Sequence, residues 1–334
     1  MSVKDLIDKL RKNAEGCEDK VLELSQLTLE EKEGDICLCN GPFSYYFRTD
    51  PKNPKSPKVI HAARQFCKIL GVPFSFFFKN PSAMKKHMVE CWLPSLKPEK
   101  SVVLAKLRTI KDHVVLRAIL PAEFTNISNV EVMERVAEAA GECFRTEFVI
   151  GDDSDDLILH VRFVSNETFE AYGESCSLGF SVIASELGEC PLAVDTLLFR
   201  NVSKTSMLAT YGTESFFRNE YVNIQPNDLK GLFPQMMDNL KSQLPYIRTK
   251  IQAAKEMQEK KTELQNLLRD LRMVKGLPER FHVQLSQELK DTSVISRWEL
   301  SDKVAAIAKN FDIQKRMKIE AAAGHLVGLS FAKA

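Results

Sequence analysis

The run Val102-Val103-Leu104-Ala105-Lys106-Leu107-Arg108, the break Ile110-Lys111-Asp112-His113 and the run Val114-Val115-Leu116-Arg117-Ala118-Ile119-Leu120 decide the fold class. Both runs are short and apolar, and the gap between them has the length of a hairpin loop. They read as two antiparallel strands. The unit recurs downstream as Phe144–Ile150 with Leu157–Val164, across the acidic turn Gly151-Asp152-Asp153-Ser154-Asp155-Asp156. It recurs again as Leu178–Ala184 with Val194–Arg200, around Ser185-Glu186-Leu187-Gly188-Glu189. Residues 205–222 are less regular. Upstream, Val3, Leu6, Ile7 and Leu10 share a helical face, and Ile36–Cys39 reads as a strand stopped by Asn40-Gly41-Pro42. Phe43–Phe47 is an aromatic strand or loop. Lys58–Leu70 carries a helical stripe (Val59, Ala62, Ala63, Phe66, Ile69, Leu70) with Gly71 just past its end. A second helix runs from about Ser82 to Trp92, and Asn129 caps a third over Val130–Ala140.

From Asp228 onward the pattern is helical. Pro245 interrupts it, Ile247–Met273 reads as one long charged helix, and Gly276-Leu277-Pro278 ends that. The expectation is an α+β protein: a mixed helix/antiparallel-sheet body with an all-helical C-terminal third. Three segments follow: 1–47, N-terminal, helical and acidic; 48–224, an α+β core; 225–334, helical.

The chain has 334 residues, 44% hydrophobic and 27% charged, as in ordinary folded domains. No run approaches the roughly 20 apolar residues of a membrane span. Met1–Leu10 alternates charged and apolar groups, unlike a signal peptide. A soluble protein of the cytoplasm is expected. The eight Cys are scattered, so reduced thiols are the default. Cys37 and Cys39 form a C-x-C whose side chains would share one strand face, as buried thiols or, with ligands from elsewhere, a metal site. The turn at 151–156 lacks the spaced ligands and closing Glu of a calcium loop. No phosphate-binding loop, G-x-G-x-x-G, G-x-S-x-G or H-E-x-x-H is present. No cofactor, metal or catalytic residue is expected; an active site assembled only in space stays open.

Charge is polarised. Residues 1–47 carry net −4; residues 48–117 hold 15 basic and 4 acidic residues, net +11; residues 118–195 hold 3 and 16, net −13. Two causes compete: a polyanion facing the basic block, or mutual pairing of the blocks within one chain or between subunits. Within the basic block, aromatics precede cations. Phe43, Tyr45, Tyr46 and Phe47 lead to Arg48, Lys52, Lys55 and Lys58; Phe74, Phe76, Phe77 and Phe78 lead to Lys79, Lys85, Lys86 and His87. Single-stranded nucleic acid is held by cations on phosphates and aromatic faces on bases. The competing reading makes alternating Phe74, Phe76 and Phe78 the inward face of a strand and the lysines a solvated surface. The candidate nucleic-acid residues are Tyr45, Tyr46, Arg48, Lys52, Lys55, Lys58, Lys79, Lys85 and Lys86.

Gln65–Pro73 with Phe76-Phe77-Phe78 is similar to an L-G-(I/V)-P-x-x-(Y/F) segment. Val115–Leu120 with Ile127-Ser128-Asn129 resembles R-A-(V/I)-L-S…Y…(I/L)-x-N, and Leu178–Gly188 resembles G-(I/V)-x-(I/V)-x-N-S-E-(V/T)-G. Leu198-Phe199-Arg200 stands where that pattern has L-x-R. In this order, over roughly residues 60–320, the segments resemble the phage/plasmid-like family known as domain of unknown function 932. Ala184 departs from the family's Asn, and Val202-Ser203-Lys204-Thr205 replaces its Cys-x-Asn-Gly step. The resemblance implies a phage, prophage or plasmid setting in a bacterial host and supplies no catalytic residue. The expected function is nucleic-acid binding, most concretely an oligomeric protein of the single-strand annealing or recombination type. The alternative is a virion structural or assembly protein whose charged blocks mate between subunits.

Overall fold

The computed structural model describes residues 3–32, 35–47, 60–96, 101–148, 158–211, 216–225, 227–273 and 276–331. In chain order these form α1 (Val3–Ala14), β1 (Cys17–Glu23), β2 (Thr28–Lys32), β3 (Asp35–Asn40), β4 (Phe43–Tyr46), α2 (Ile60–Leu70), α3 (Phe74–Lys79), α4 (Ser82–Trp92), β5 (Val102–Ile110) and β6 (His113–Pro121). Next come α5 (Asn129–Ala140), β7 (Phe144–Phe148), β8 (Leu159–Ser165), β9 (Phe169–Ala171), β10 (Glu174–Ala184), β11 (Leu192–Arg200), β12 (Thr205–Tyr211) and β13 (Phe217–Asn219). The remainder is α6 (Asp228–Glu256), β14 (Gln258–Lys260), α7 (Lys261–Met273), α8 (Glu279–Glu288), β15 (Val294–Ser296), α9 (Arg297–Ala308), α10 (Ile313–Val327) and β16 (Ser330–Phe331). The protein is α+β, and its C-terminal third is helical apart from the β14–β15 ribbon and β16.

A first sheet has the order β1-β5-β6-β4-β3-β2. Its two edge strands, β1 and β2, are joined by residues 24–27 alone, a link that spans at most about 18 Å. Six strands laid flat would place those edges about 24 Å apart. The sheet therefore curls until its edges approach. Helices α2, α3 and α4 share one core with it, built from Leu29, Leu38, Phe66, Phe77, Val89 and Leu107 among others. Because β1–β4 and β5–β6 are neighbours in this sheet, the boundary expected at 47/48 cuts through a single unit. The division between basic and acidic blocks at 117/118 falls within β6.

The second sheet has the order β16-β12-β11-β10-β8-β7, with β9 on β10 and β13 on β11. The irregular stretch 205–222 supplies two of these strands. One face buries Val161, Phe163, Phe180 and Val194 under α1, α5 and the first half of α6. The second half of α6 packs with α8, α9 and α10 in another core. Helix α10 also lies on the opposite sheet face, where Met317 and Ala321 meet Val164, Leu197, Phe199 and Leu208. Glu320 of α10 is buried there, accepting hydrogen bonds from Arg162, Ser206 and Arg316.

Three helical boundaries differ from expectation. Phe74–Lys79 is a helix, not a strand, because Pro73 and Pro81 confine it to under two turns and Phe74 and Phe78 meet at i,i+4. Helix α6 runs through Pro245 without ending. Met257 then adopts extended geometry and divides the expected 247–273 helix into α6 and α7, with β14 between.

Candidate nucleic-acid interface

Helices α2, α3 and α4 carry five basic residues and one acidic residue, Glu90, over residues 60–96. The α2 stripe of Ala62, Ala63, Phe66, Cys67 and Leu70 turns inward, which leaves Arg64 and Lys68, one turn apart, on the outer face. Gly71, at φ +71°, ends α2 and redirects the chain into α3. There Phe77 is buried edge-on against Phe66. Phe74 and Phe78 project to the side and pack with ring centroids 4.6 Å apart. The Arg64 guanidinium lies 5.4 Å from the Phe74 centroid, and Lys85 Nζ lies 5.4 Å from that of Phe78. The result is a row, Arg64–Phe74–Phe78–Lys85, of two cations closing a pair of half-buried rings.

Phe76 on α3 and Met84 on α4 are 49% and 48% exposed; Phe76, two residues from both Phe74 and Phe78, lies on the other side of α3 from the row. Lys68, Lys79 and Lys86 are exposed around it, with Lys86 held only loosely by Glu90 at 3.9 Å. Exposed aromatic side chains among cations are the composition that takes up bases and phosphates together.

Of the predicted site residues, Lys79, Lys85 and Lys86 converge here. Arg48, Lys52, Lys55 and Lys58 lie outside the described residues, as does the acidic turn 151–156. Tyr45 and Tyr46 do not belong to such a surface: they are 2% and 7% exposed, packed inside and against the curled sheet, and present no ring face to a base. The outward partners that sequence reasoning missed are Arg64 and Lys68. Their i,i+4 spacing opposite the apolar stripe of α2 was the available signal.

The segments around Gln65, Arg117, Asn129 and Glu186 meet at one junction behind this surface. Glu186 Oε1 accepts from both terminal nitrogens of Arg117 at 3.1 Å, and Glu186 Oε2 accepts from the Asn129 amide at 3.1 Å. Gln65 of α2 donates to the Leu187 carbonyl at 2.7 Å and accepts from the Ile119 amide at 2.9 Å. Ser185 Oγ accepts from the amides of Leu187 and Glu189, and the Ser185 amide donates to the Tyr221 hydroxyl. Burial pushes that phenol well above its ordinary range. Glu186 and Ser185 thus have protein partners, and the junction ties α2 to the second sheet. It is a structural clamp, as a tight turn with a positive-φ Gly188 requires.

Two other buried polar arrangements bring reactive side chains together. His160 Nε2 and Ser181 Oγ lie 2.7 Å apart, and Asp195 is the cross-strand neighbour of Ser181. The carboxylate is on the wrong side of the serine to orient the imidazole, His160 Nδ1 has no partner, and all three are buried. Cys37 and Cys39 share one face with sulfurs 3.6 Å apart, and burial pushes the Cys37 thiol up to about 12. No group of three or more His, Cys, Asp or Glu able to hold a metal ion exists among the described residues. No helix among them is long and apolar enough to cross a membrane.

In comparisons with known proteins the chain matches no family profile, no curated protein and no solved structure.

Proposed function

We propose that this is a phage- or plasmid-encoded protein that binds single-stranded nucleic acid through the outer face of α2, α3 and α4, as an oligomer of the annealing or recombination type. The observation that carries the reading is the Arg64–Phe74–Phe78–Lys85 row, two cations on a pair of half-buried rings, on helices that also expose Phe76, Lys68, Lys79 and Lys86. Cations there neutralise phosphates, and each base that stacks on an exposed ring adds about 1–3 kcal/mol. Bases in a duplex are already stacked, so the surface favours unpaired strands. The resemblance in residue order supports the phage or plasmid setting.

The test is anisotropy of a labelled oligodeoxythymidylate across a salt series, with a duplex of equal length as comparison. Lys79→Glu, Lys85→Glu and Lys86→Glu together are expected to weaken binding and flatten the dependence of log K on log salt, which scales with the phosphates neutralised. A folded triple variant with unchanged affinity and slope would refute the assignment.

A further inference from the structure

Helix α4 turns Met88 and Val89 into the core. Beside that buried stripe, Met84, His87 and Cys91 are all exposed. Their spacing of three and four residues confines them to roughly 60° of the helix surface, one above another. The three carry a thioether, an imidazole and a thiol. Cys91 Sγ lies 3.7 Å from His87 Nε2 and 4.0 Å from His87 Nδ1. Two ligands on one metal ion, bound at about 2.3 Å through sulfur and about 2.0–2.1 Å through nitrogen, and about 110–120° apart, stand about 3.6–3.8 Å from each other. The Cys91–His87 pair already has that bite. Met84, one turn toward the helix N-terminus, supplies a third donor, since His87 leans toward it and its own side chain is unbranched and flexible. A thioether lies outside the His, Cys, Asp and Glu donors, of which no group of three or more occurs among the described residues.

The donor set selects the ion. Thiolate and thioether sulfur are soft and favour Cu(I), whereas a closed zinc site takes four ligands from Cys, His and carboxylate, and calcium or magnesium needs oxygen. Charge agrees. Cu(I) with one thiolate, a neutral imidazole and a neutral thioether carries no net charge, so half-buried Lys85 and exposed Lys86 beside it do not oppose it. A divalent ion would leave an uncompensated positive charge among those lysines. Glu90, next to Cys91 in sequence, pairs with Lys86 at 3.9 Å and makes no three-ligand group with His87 and Cys91.

We propose that Met84, His87 and Cys91 form a surface site for Cu(I), which does not rest on the nucleic-acid reading. On binding, the Cys91 thiol proton passes to solvent, the sulfur takes the metal, and copper stays in the +1 state. The test is anaerobic competition of the full chain, thiols reduced, against the coloured Cu(I)–bicinchoninate complex. The unmodified protein is expected to withdraw one equivalent of copper more than Cys91→Ser, a difference that separates α4 from the other cysteines. His87→Ala and Met84→Leu should each weaken that equivalent about tenfold or more, since even partners that only orient a ligand are worth as much. All three substitutions fall at exposed positions, and far-ultraviolet circular dichroism checks that the fold is kept. Equal copper uptake by the unmodified protein and Cys91→Ser would overturn the proposal. So would an unchanged affinity in either His87→Ala or Met84→Leu.

Discussion

Gly188 shows at a single residue what the clamp demands. Its φ is +71°, and an added Cβ would come within 2.6 Å of Leu120 Cδ2. Gly188→Val is therefore expected to cost about 1–3 kcal/mol in chemical denaturation, from left-handed strain and displaced Leu120. Glu320 poses a sharper case. It is fully buried between Arg162 and Arg316, so Glu320→Gln leaves two guanidinium groups facing a neutral amide. The expected loss is about 3–5 kcal/mol, seen as a lowered denaturation midpoint. His61 gives the pH dependence. Burial lowers its pKa from 6.5 to about 4, against the raising effect of its hydrogen bond to the Arg117 backbone. Below pH 6.5 the unfolded chain takes up a proton that the folded chain refuses, so stability is full above 6.5 and is lost as pH falls toward 4. His160, buried beside Arg162 and Arg316, shifts in the same direction. His61→Asn, which keeps a donor for the Arg117 backbone, should lessen the decline in melting temperature over that range; an unchanged profile would assign it to other groups.

Among the elements, those with one inward face were legible. The 102–120 hairpin and helix α2 announce themselves because one period fits and a turn residue closes each. Helix α3 did not, since Phe-x-Phe-x-Phe satisfies a period of two while Phe74 and Phe78 also satisfy i,i+4. A six-residue helix between two prolines cannot decide between these. The α6–α7 break at Met257 is invisible for another reason. Its cause is the pairing of Gln258–Lys260 with Val294–Ser296, more than thirty residues on. Pro245 misleads because tertiary packing of Ile247 and Ile251 outweighs a lost helical hydrogen bond. Helix α10 depends on a small residue. At Gly324 a Cβ would lie 2.0 Å from the Leu208 carbonyl oxygen, a backbone atom that cannot swing aside. Gly324→Ala must lift α10 from β12 and is expected to cost about 1–3 kcal/mol or more, read as a lowered thermal midpoint.

At the scale of the molecule, the +11 and −13 blocks meet directly in the Arg117–Glu186 clamp, whereas Lys68, Lys79 and Lys86 face outward. Charge left outward on one copy is available to another. Light scattering in low salt is expected to give a mass above the 37.8 kDa of one chain, falling toward it in high salt. The Debye length shrinks from about 10 Å at 0.1 M to about 3 Å at 1 M. A single-chain mass at every salt would count against the oligomer. The candidate face was half legible from the sequence. Lys79, Lys85 and Lys86 stood out by composition. Which aromatics turn outward did not, because burial of Tyr45 and Tyr46 follows from the curl of a sheet whose strands are distant in sequence.

That curl also sets a timetable for synthesis. Strand β1 leaves the ribosome well before its hydrogen-bonding partner β5, with Cys17 opposite Arg108 and Glu23 opposite Val102. At roughly 5–20 residues per second β1 waits about 4–18 s for that partner. A strand left unpaired so long invites pairing with the wrong neighbour, and charged side chains are the usual deterrent. Glu18, Asp19, Lys20 and Glu23 occupy four of its seven positions. The charges on β1 guard the nascent chain during the interval before its sheet can close.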